Sequence, residues 1–537
     1  MSSQDELDTT ATKESKDSFS KSASGASFLM LTQLSSKLCT FFINQLLMSY
    51  ISARILGATS YIDFLVATSL FFSREAVRLS CQRIKLPKGK AYQAIFNLSL
   101  IPLVIGVPFS SILIYTQFIR QQNAAVLQSP LFRYSVGFMW LSVIIELLSE
   151  PLYNINQYDL DIKTRSKIES FANVFKCLSQ LGMIVWFEHK FKGMSVDKAN
   201  PDYFIFSYCV SLFIYGGSIL SLYLHFFFKS SARSQIRFKL TKIDDWYFEP
   251  RSISYWKNIF VQIFFKHVLT EGDKFIVNYL CSPEEQGIFA LVNNYGSLIT
   301  RMVFAPIEES LRLYFTKLIS QDSSPKTYRQ VCTVLKNILV FYKYLSLFIV
   351  IFVPFNSKFV FSMLLGNDWA SSTDAFKVYW IYIPFLAVNG VTEATFYSTV
   401  EDAARLFSYS KYMVMCSIAF IASATLLIRG TGLSVVGLII ANCVNMLLRI
   451  IYCSNLINTM DSSFKLHIDS SAIQTILVGI SVASLHYFIT GSNTENFVQF
   501  FYSASLACLT LLLVIFKERS LLSNLFHQVW KSKIKSS

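Results

Sequence analysis

Ionisable side chains set inside long apolar stretches are the feature of this 537-residue sequence that could do chemistry. Lys37 stands between Leu34 and Phe41, and Arg74, Glu75 and Arg78 interrupt an apolar run. Glu146 and Glu150 share a second run, and Lys266, Glu271, Asp273 and Lys274 share a third. Arg301 lies among Leu298, Ile299, Met302 and Val303, and Glu308 and Glu309 follow Pro306. In hydrocarbon each such charge costs about 2.5–3.5 kcal/mol, so it faces a partner or a polar cavity. Lys37, Arg74 and Arg301 are too deep for an easy reach to water. A wet, cationic interior satisfies Lys37 and Arg301, and it suits an anion, because a guanidinium matches two phosphate oxygens at once. Glu75, Glu146 and Glu309 then hold the arginines and neutralise them while the site is empty. Other readings stay open: Arg78 and Arg312 as helix anchors at the interface, Glu271 and Asp273 with Lys274 as an internal helical pair, and Glu146 as a proton or cation site.

Enzymatic chemistry has no comparable footing. The sequence contains no Gly-rich loop ending in Lys-Ser/Thr, no paired His ligands around a Glu, and no nucleophile elbow. Its six His are dispersed, and His225, His267 and His486 read as interfacial or packing residues. The ten Cys are scattered, and Cys39, Cys177, Cys209, Cys416, Cys443 and Cys508 lie inside apolar stretches rather than in spaced pairs, so neither a disulfide framework nor a zinc site is implied. No catalytic residue, metal or cofactor is expected. Transport without an energy source of its own, or coupled to an ion, is what remains.

The elements that must position these residues are transmembrane helices. With 53% hydrophobic and only 15% charged residues, several soluble domains are excluded. Stretches of about twenty apolar residues predict an all-α polytopic membrane protein of about fourteen spans. They fall near 26–51, 59–80, 91–115, 131–154, 167–188, 203–228, 255–280 and 286–305, then 336–355, 372–396, 408–428, 433–457, 472–490 and 497–516. The net charge of +14 could suggest nucleic acid, but most Lys and Arg sit in alternate loops, as the orientation rule requires. That alternation puts both termini in the cytosol. Residues 1–24 read as a disordered cytosolic tail with no cleavable signal, 25–228 as a first helix bundle and 229–254 as a basic cytosolic linker. A second bundle follows over 255–457, then two further helices over 458–516 and a basic tail over 517–537. Ser73-Arg74-Glu75-Ala76-Val77-Arg78-Leu79 is weakly repeated as Ile307-Glu308-Glu309-Ser310-Leu311-Arg312-Leu313, as two related bundles with a substrate path between them would show. The sequon Asn97-Leu98-Ser99 lies inside the third span and is not expected to carry a glycan.

Several of these stretches closely resemble the Rft oligosaccharide-translocation family, in a fungal form. They are Gly25-Ala26-Ser27-Phe28-Leu29, Phe71 to Ser80, Ile145-Glu146-Leu147-Leu148-Ser149-Glu150-Pro151-Leu152, Leu269 to Phe275, Val292 to Leu298, and Pro306 to Ser310. The resemblance implies a flippase of the multidrug, oligosaccharidyl-lipid and polysaccharide superfamily, with two six-helix bundles and two additional C-terminal helices. It also implies the endoplasmic reticulum membrane and, as partner, the dolichol-diphosphate-linked Man5GlcNAc2 lipid of protein N-glycosylation. On that footing Arg74 and Arg301 hold the diphosphate, Lys37 adds charge, Arg78 and Lys167 attract the head group at the cytosolic mouth, and Glu75, Glu146 and Glu309 orient the basic groups. Two other functions fit the same cavity: binding and presenting the lipid while another protein moves it, and cation-coupled export with Glu146 as the coupling site. A monomer is expected, with proteins of the N-glycosylation machinery as further partners. The C-terminal lysines Lys533 and Lys535 resemble a cytosolic dilysine retrieval signal. Replacing both with Ser is expected to let the protein leave the endoplasmic reticulum, as seen by fluorescence microscopy of a tagged chain; unchanged location would place retention in the helices or a partner.

Overall fold

The computed structural model describes residues 39–84, 86–120, 130–159, 161–190, 201–229, 236–322, 324–365, 369, 372–400, 403–460, 470–491, 493–494 and 496–517. Lys37, Lys533 and Lys535 lie outside these residues, as do the side chains of Lys266, Glu271 and Asp273. The described chain is helical, and it contains no β-strand. The order is α1 (Cys39–Met48), α2 (Ala53–Cys81), α3 (Lys88–Leu98), α4 (Ile101–Arg120), α5 (Pro130–Tyr158), α6 (Ile162–Lys190), α7 (Pro201–Phe228) and α8 (Pro250–Leu280). Then come α9 (Pro283–Ile299), α10 (Ala305–Gln321), α11 (Pro325–Leu365), α12 (Thr373–Thr399), α13 (Ala403–Thr425), α14 (Ser434–Met460), α15 (Ser470–Thr490) and α16 (Phe497–Lys517). Among the described residues every predicted span falls on helix, the first from Cys39 onward, and eight helical stretches are long and apolar enough to cross a membrane.

Proline sets many of the boundaries. Helices α5, α7, α8, α9 and α11 all begin at a proline, whose fixed φ suits the first helical position and whose missing N–H is not needed there. Ser282 and Glu285 add a reciprocal cap to α9, with Ser282 N donating to Glu285 Oε2 at 2.7 Å. Prolines also alter two predicted spans. The third divides into α3 and α4 at Ser99–Leu100, because Pro102 has no N–H for the Leu98 carbonyl and its ring clashes there. The eighth passes through a widened π turn, Thr300–Phe304, and continues as α10; Pro306 likewise removes the bond to the Met302 carbonyl.

The helices form two compact units that divide at Thr270–Glu271, inside α8. In the first unit α2, α4, α5 and α7 bury one another through Ile62, Val66, Leu70, Val143, Leu147 and Leu212. Gly106 of α4 admits the side chains of Ser73 on α2 and Leu147 on α5 to where its own Cβ would stand, so three helices meet at one glycine. The opening residues of α8 also pack on α2: Phe264 lies 5.2 Å from Phe72, His267 stacks on Phe71 at 4.0 Å, and Arg83 covers Tyr255. In the second unit α11 and α14 flank α12, and α15 and α16 dock on α11 through a buried polar knot. Asn356 donates to Ser503 Oγ at 2.6 Å and accepts from Thr494 Oγ1 at 2.9 Å, while the His486 ring lies 2.7 Å from the same serine oxygen.

The linker is a folded part of the first unit from Ile236 onward. Gln93 and Asn97, one turn apart on α3, read its backbone as a neighbouring strand would. Asn97 Nδ2 donates to the carbonyls of Thr241 and Tyr247 at 2.7 Å each, and Gln93 Oε1 accepts from the Arg237 N–H at 3.0 Å. Ile236 and Ile243 enter the core beside Tyr92, Ile95 and Phe227. Asn97 is fully buried in this clamp, which closes the sequon to a glycan. Asn97→Ala strands two carbonyls and one N–H, and is expected to cost about 2–4 kcal/mol. Thermal unfolding in detergent and the rate of protease cleavage between Ile236 and Glu249 should both register it.

Candidate functional site

On α2, Arg74 and Arg78 are one turn apart; on α5, Glu146, Glu150 and Tyr153 follow the same spacing, so each set lies on one helix face. Tight packing of the two helices brings the faces together. Glu150 is 1% exposed, and Arg78 grips it with two parallel bonds, Nε to Oε2 at 2.9 Å and Nη2 to Oε1 at 2.6 Å. Arg74 reaches both acids through one amino group, at 3.0 Å to Glu146 and 3.4 Å to Glu150. The Arg78 guanidinium also lies 3.8 Å from the centre of the Tyr153 ring. Arg165, in the first turn of α6, approaches the same ring at 4.8 Å and donates to Glu169 at 2.9 Å. These side chains form one ladder across α2, α5 and α6, with Arg74, Arg78 and Arg165 balanced by Glu146, Glu150 and Glu169.

Charge balance determines what the ladder can do. A buried carboxylate without a cation would be untenable in hydrocarbon, and so would a buried guanidinium without an anion. Arg78 has spent its fork on Glu150. Arg74 is held through Nη1 alone, and its side chain is 23% exposed against 15% for Arg78. Its remaining donors can therefore take an anion's oxygens while Glu146 still orients it. Beside this exchange of partners, the ladder holds no nucleophile and base in contact.

The other predicted residues are placed differently. Glu75 is half-buried and outside the ladder's hydrogen bonds, and Lys167 is exposed on α6. Arg301, exposed in the π turn of the second unit, folds back along its own helix to the Asn294 carbonyl at 3.2 Å and the Ser297 carbonyl at 3.4 Å. Glu309 pairs with Arg312 one turn on. Glu308 is half-buried, its carboxyl lying where a Cβ on Gly390 of α12 would stand.

The second unit carries a cluster that sequence reasoning missed. Glu393 of α12 accepts from Arg449 of α14 at 2.8 Å through each oxygen, from Tyr409 of α13 at 3.1 Å and from Asn389 at 3.2 Å. Glu393 and Arg449 are charges inside apolar runs, so the depth criterion applied to Arg74 would have found them. Arg165 and Glu169 were hidden for another reason: they sit where a span meets a loop, and a basic loop residue reads as an orientation signal.

The fold is shared with solved membrane transporters. The chain superimposes on the Lipid II flippase MurJ in its inward closed conformation with a TM-score of 0.59, at 13% identity, covering 92% of this chain and 99% of MurJ. An inward-facing multidrug resistance MATE family transporter of the MOP superfamily gives 0.52 at 11% identity, covering 81% of this chain and 99% of that one. The class is thus an all-α, multi-helix membrane protein with a transporter fold. The family model described as Rft protein matches residues 21–528, and the chain belongs to the Rft family. It is 38% identical to the Man(5)GlcNAc(2)-PP-dolichol translocation protein RFT1 of Kluyveromyces lactis, over 94% of this chain and 97% of the relative. The protein of the same name from Saccharomyces cerevisiae is 36% identical, over 95% of this chain and 96% of the relative.

Glu150→Ala leaves the Arg78 guanidinium buried without its anion and should cost about 3–5 kcal/mol, more than Glu146→Ala, which removes a single bond to the better-exposed Arg74. The fraction of monodisperse protein surviving a heating series in detergent measures both, and equal losses would show that the bidentate pair is not the stronger tie.

Proposed function

We propose that this chain moves the Man5GlcNAc2-diphosphate-dolichol lipid from the cytosolic to the luminal leaflet of the endoplasmic reticulum membrane, for protein N-glycosylation. The observation that carries the reading is Arg74, a guanidinium held by Glu146 with donors left over, in a chain whose relatives are named for translocating that lipid. A diphosphate head group must shed water to cross hydrocarbon, and fixed cations along a polar path lower that barrier without any covalent step. Arg74 receives the diphosphate, Arg78 and Lys167 draw it in from the mouth, and Glu146 and Glu150 keep the arginines oriented between cycles. Arg301 and Lys37 supply further positive charge, and Glu75, Glu271, Asp273, Glu308 and Glu309 are supporting acids. The chain acts as a monomer, with two related bundles of six helices, two further helices and both termini in the cytosol. It carries out no bond chemistry, and proteins of the glycosylation machinery are its neighbours.

A second reading keeps the same site: the chain binds the lipid and presents it while another protein carries it across. Leaflet-resolved transport of Man5GlcNAc2-diphosphate-dolichol in vesicles holding only the purified protein separates the two. Transport that falls about tenfold or more in Arg74→Glu, and also in Arg301→Glu, is the expected result. Specific binding without transport by the wild type would establish the presenting role, and undiminished transport by either variant would remove that arginine from the mechanism.

A further inference from the structure

We propose that Arg165 is the outer phosphate-receiving residue of the ladder, a positioning role that rests on the reading above. Arg165 is fixed from two directions, by Glu169 on its Nε at 2.9 Å and by the Tyr153 ring 4.8 Å from its guanidinium carbon. Nothing among the described residues bonds its two terminal amino groups, and the side chain is 36% exposed. A guanidinium whose plane is already set, with both terminal donors open, presents a fork for two oxygens of one phosphate and loses little entropy on taking them. Arg78, 3.8 Å from the same ring, cannot serve in this way, because Glu150 occupies its fork. Neighbouring Lys163 and Lys167 are exposed ammonium groups that add charge but no plane.

The ligand chemistry follows from the order of the rungs. From Tyr153 through Glu150 to Glu146 the ladder climbs α5 away from its end at Tyr158; with that end at the cytosolic mouth, as the proposed function has it, Arg165 meets a phosphate first and Arg74 afterwards. A diphosphate offers a separate phosphoryl group to each. Because the ladder is internally neutral, the arriving anion adds to open donors at Arg165 before any carboxylate has to yield, which is the low-barrier way into a site whose other cations are already paired.

The test uses the full-length protein in lipid nanodiscs, titrated with inorganic pyrophosphate and, separately, with Man5GlcNAc2-diphosphate-dolichol. Arg165→Lys keeps the charge and loses the fork; Arg165→Gln loses both; Lys163→Gln controls for charge alone. Arg165→Lys and Arg165→Gln should each weaken both probes about tenfold, with Lys163→Gln within about twofold of wild type. Wild-type affinity in Arg165→Lys, or an equal loss in Lys163→Gln, would overturn the fork while leaving the transport reading intact. A loss confined to the lipid probe would also overturn it, by moving the contact from phosphate to sugar. Failure of the wild type to bind the lipid at all would instead overturn the proposed function.

Discussion

An ionised side chain in hydrocarbon is expensive unless an opposite charge and hydrogen bonds accompany it, and the first unit is arranged around that constraint. Glu150 is almost completely buried, so Arg78 has to reach it with both ends of its fork, and this fixes the register of α2 against α5. Once that register is set, Arg74 falls beside Glu146 and Tyr153 falls beneath Arg78. Gly106 then has to be a glycine, because Ser73 and Leu147, which neighbour ladder residues in sequence, occupy the space of its Cβ. The apolar core from Ile62 to Leu212 accommodates this geometry, since leucine and valine side chains pack in many registers and ion pairs in few.

The two units solve the same problem with different outcomes. In each, a central helix carries a polar pair four residues apart, Glu146 with Glu150 on α5 and Asn389 with Glu393 on α12. In the second unit three neighbouring side chains converge on Glu393, and its arginine comes from α14. In the first unit the arginines come from α2 and α6, and the outermost and innermost of them keep donors in reserve. The difference is one of exposure: the arginines at the two ends of the first cluster are 23% (Arg74) and 36% (Arg165) exposed, against 17% for Arg449.

Much of the architecture was legible because hydrocarbon imposes length and apolarity on any helix that crosses it, and the predicted spans fall on helix wherever their residues are described. The breaks at Pro102 and Pro306 were harder to read, since proline is tolerated in apolar helices when neighbours or a wider turn absorb the freed carbonyl. Arg74 and Glu146 were legible as charges inside apolar runs, whereas the Arg78–Glu150 pair was not, because Arg78 near a helix end also reads as an interfacial anchor. Arg165 and Glu169 were not, because a charge at a helix end has a cheap explanation in the orientation rule, and only the position of Tyr153 reveals that they continue the ladder. The folded linker was also obscure: the signal in Gln93 and Asn97 lies in amides that bond a backbone more than one hundred residues away, and no periodicity encodes that.

A buried ion pair is a poor way to hold two helices together, since apolar side chains of similar volume commonly hold them as well or better. The surroundings here show that the apolar alternative was at hand: Leu70, Val77, Val143, Leu147 and Leu152 line the same helices and pack without a polar atom among their side chains. Mere cohesion therefore does not account for three arginines and three glutamates strung between α2, α5 and α6. What the ladder adds under the proposed function, and leucine cannot, is positive charge that stays oriented and neutral while empty and becomes available when a phosphate arrives. Arginine suits that task better than lysine, because stacking on Tyr153 and a bond at Nε fix its plane while leaving its terminal donors open.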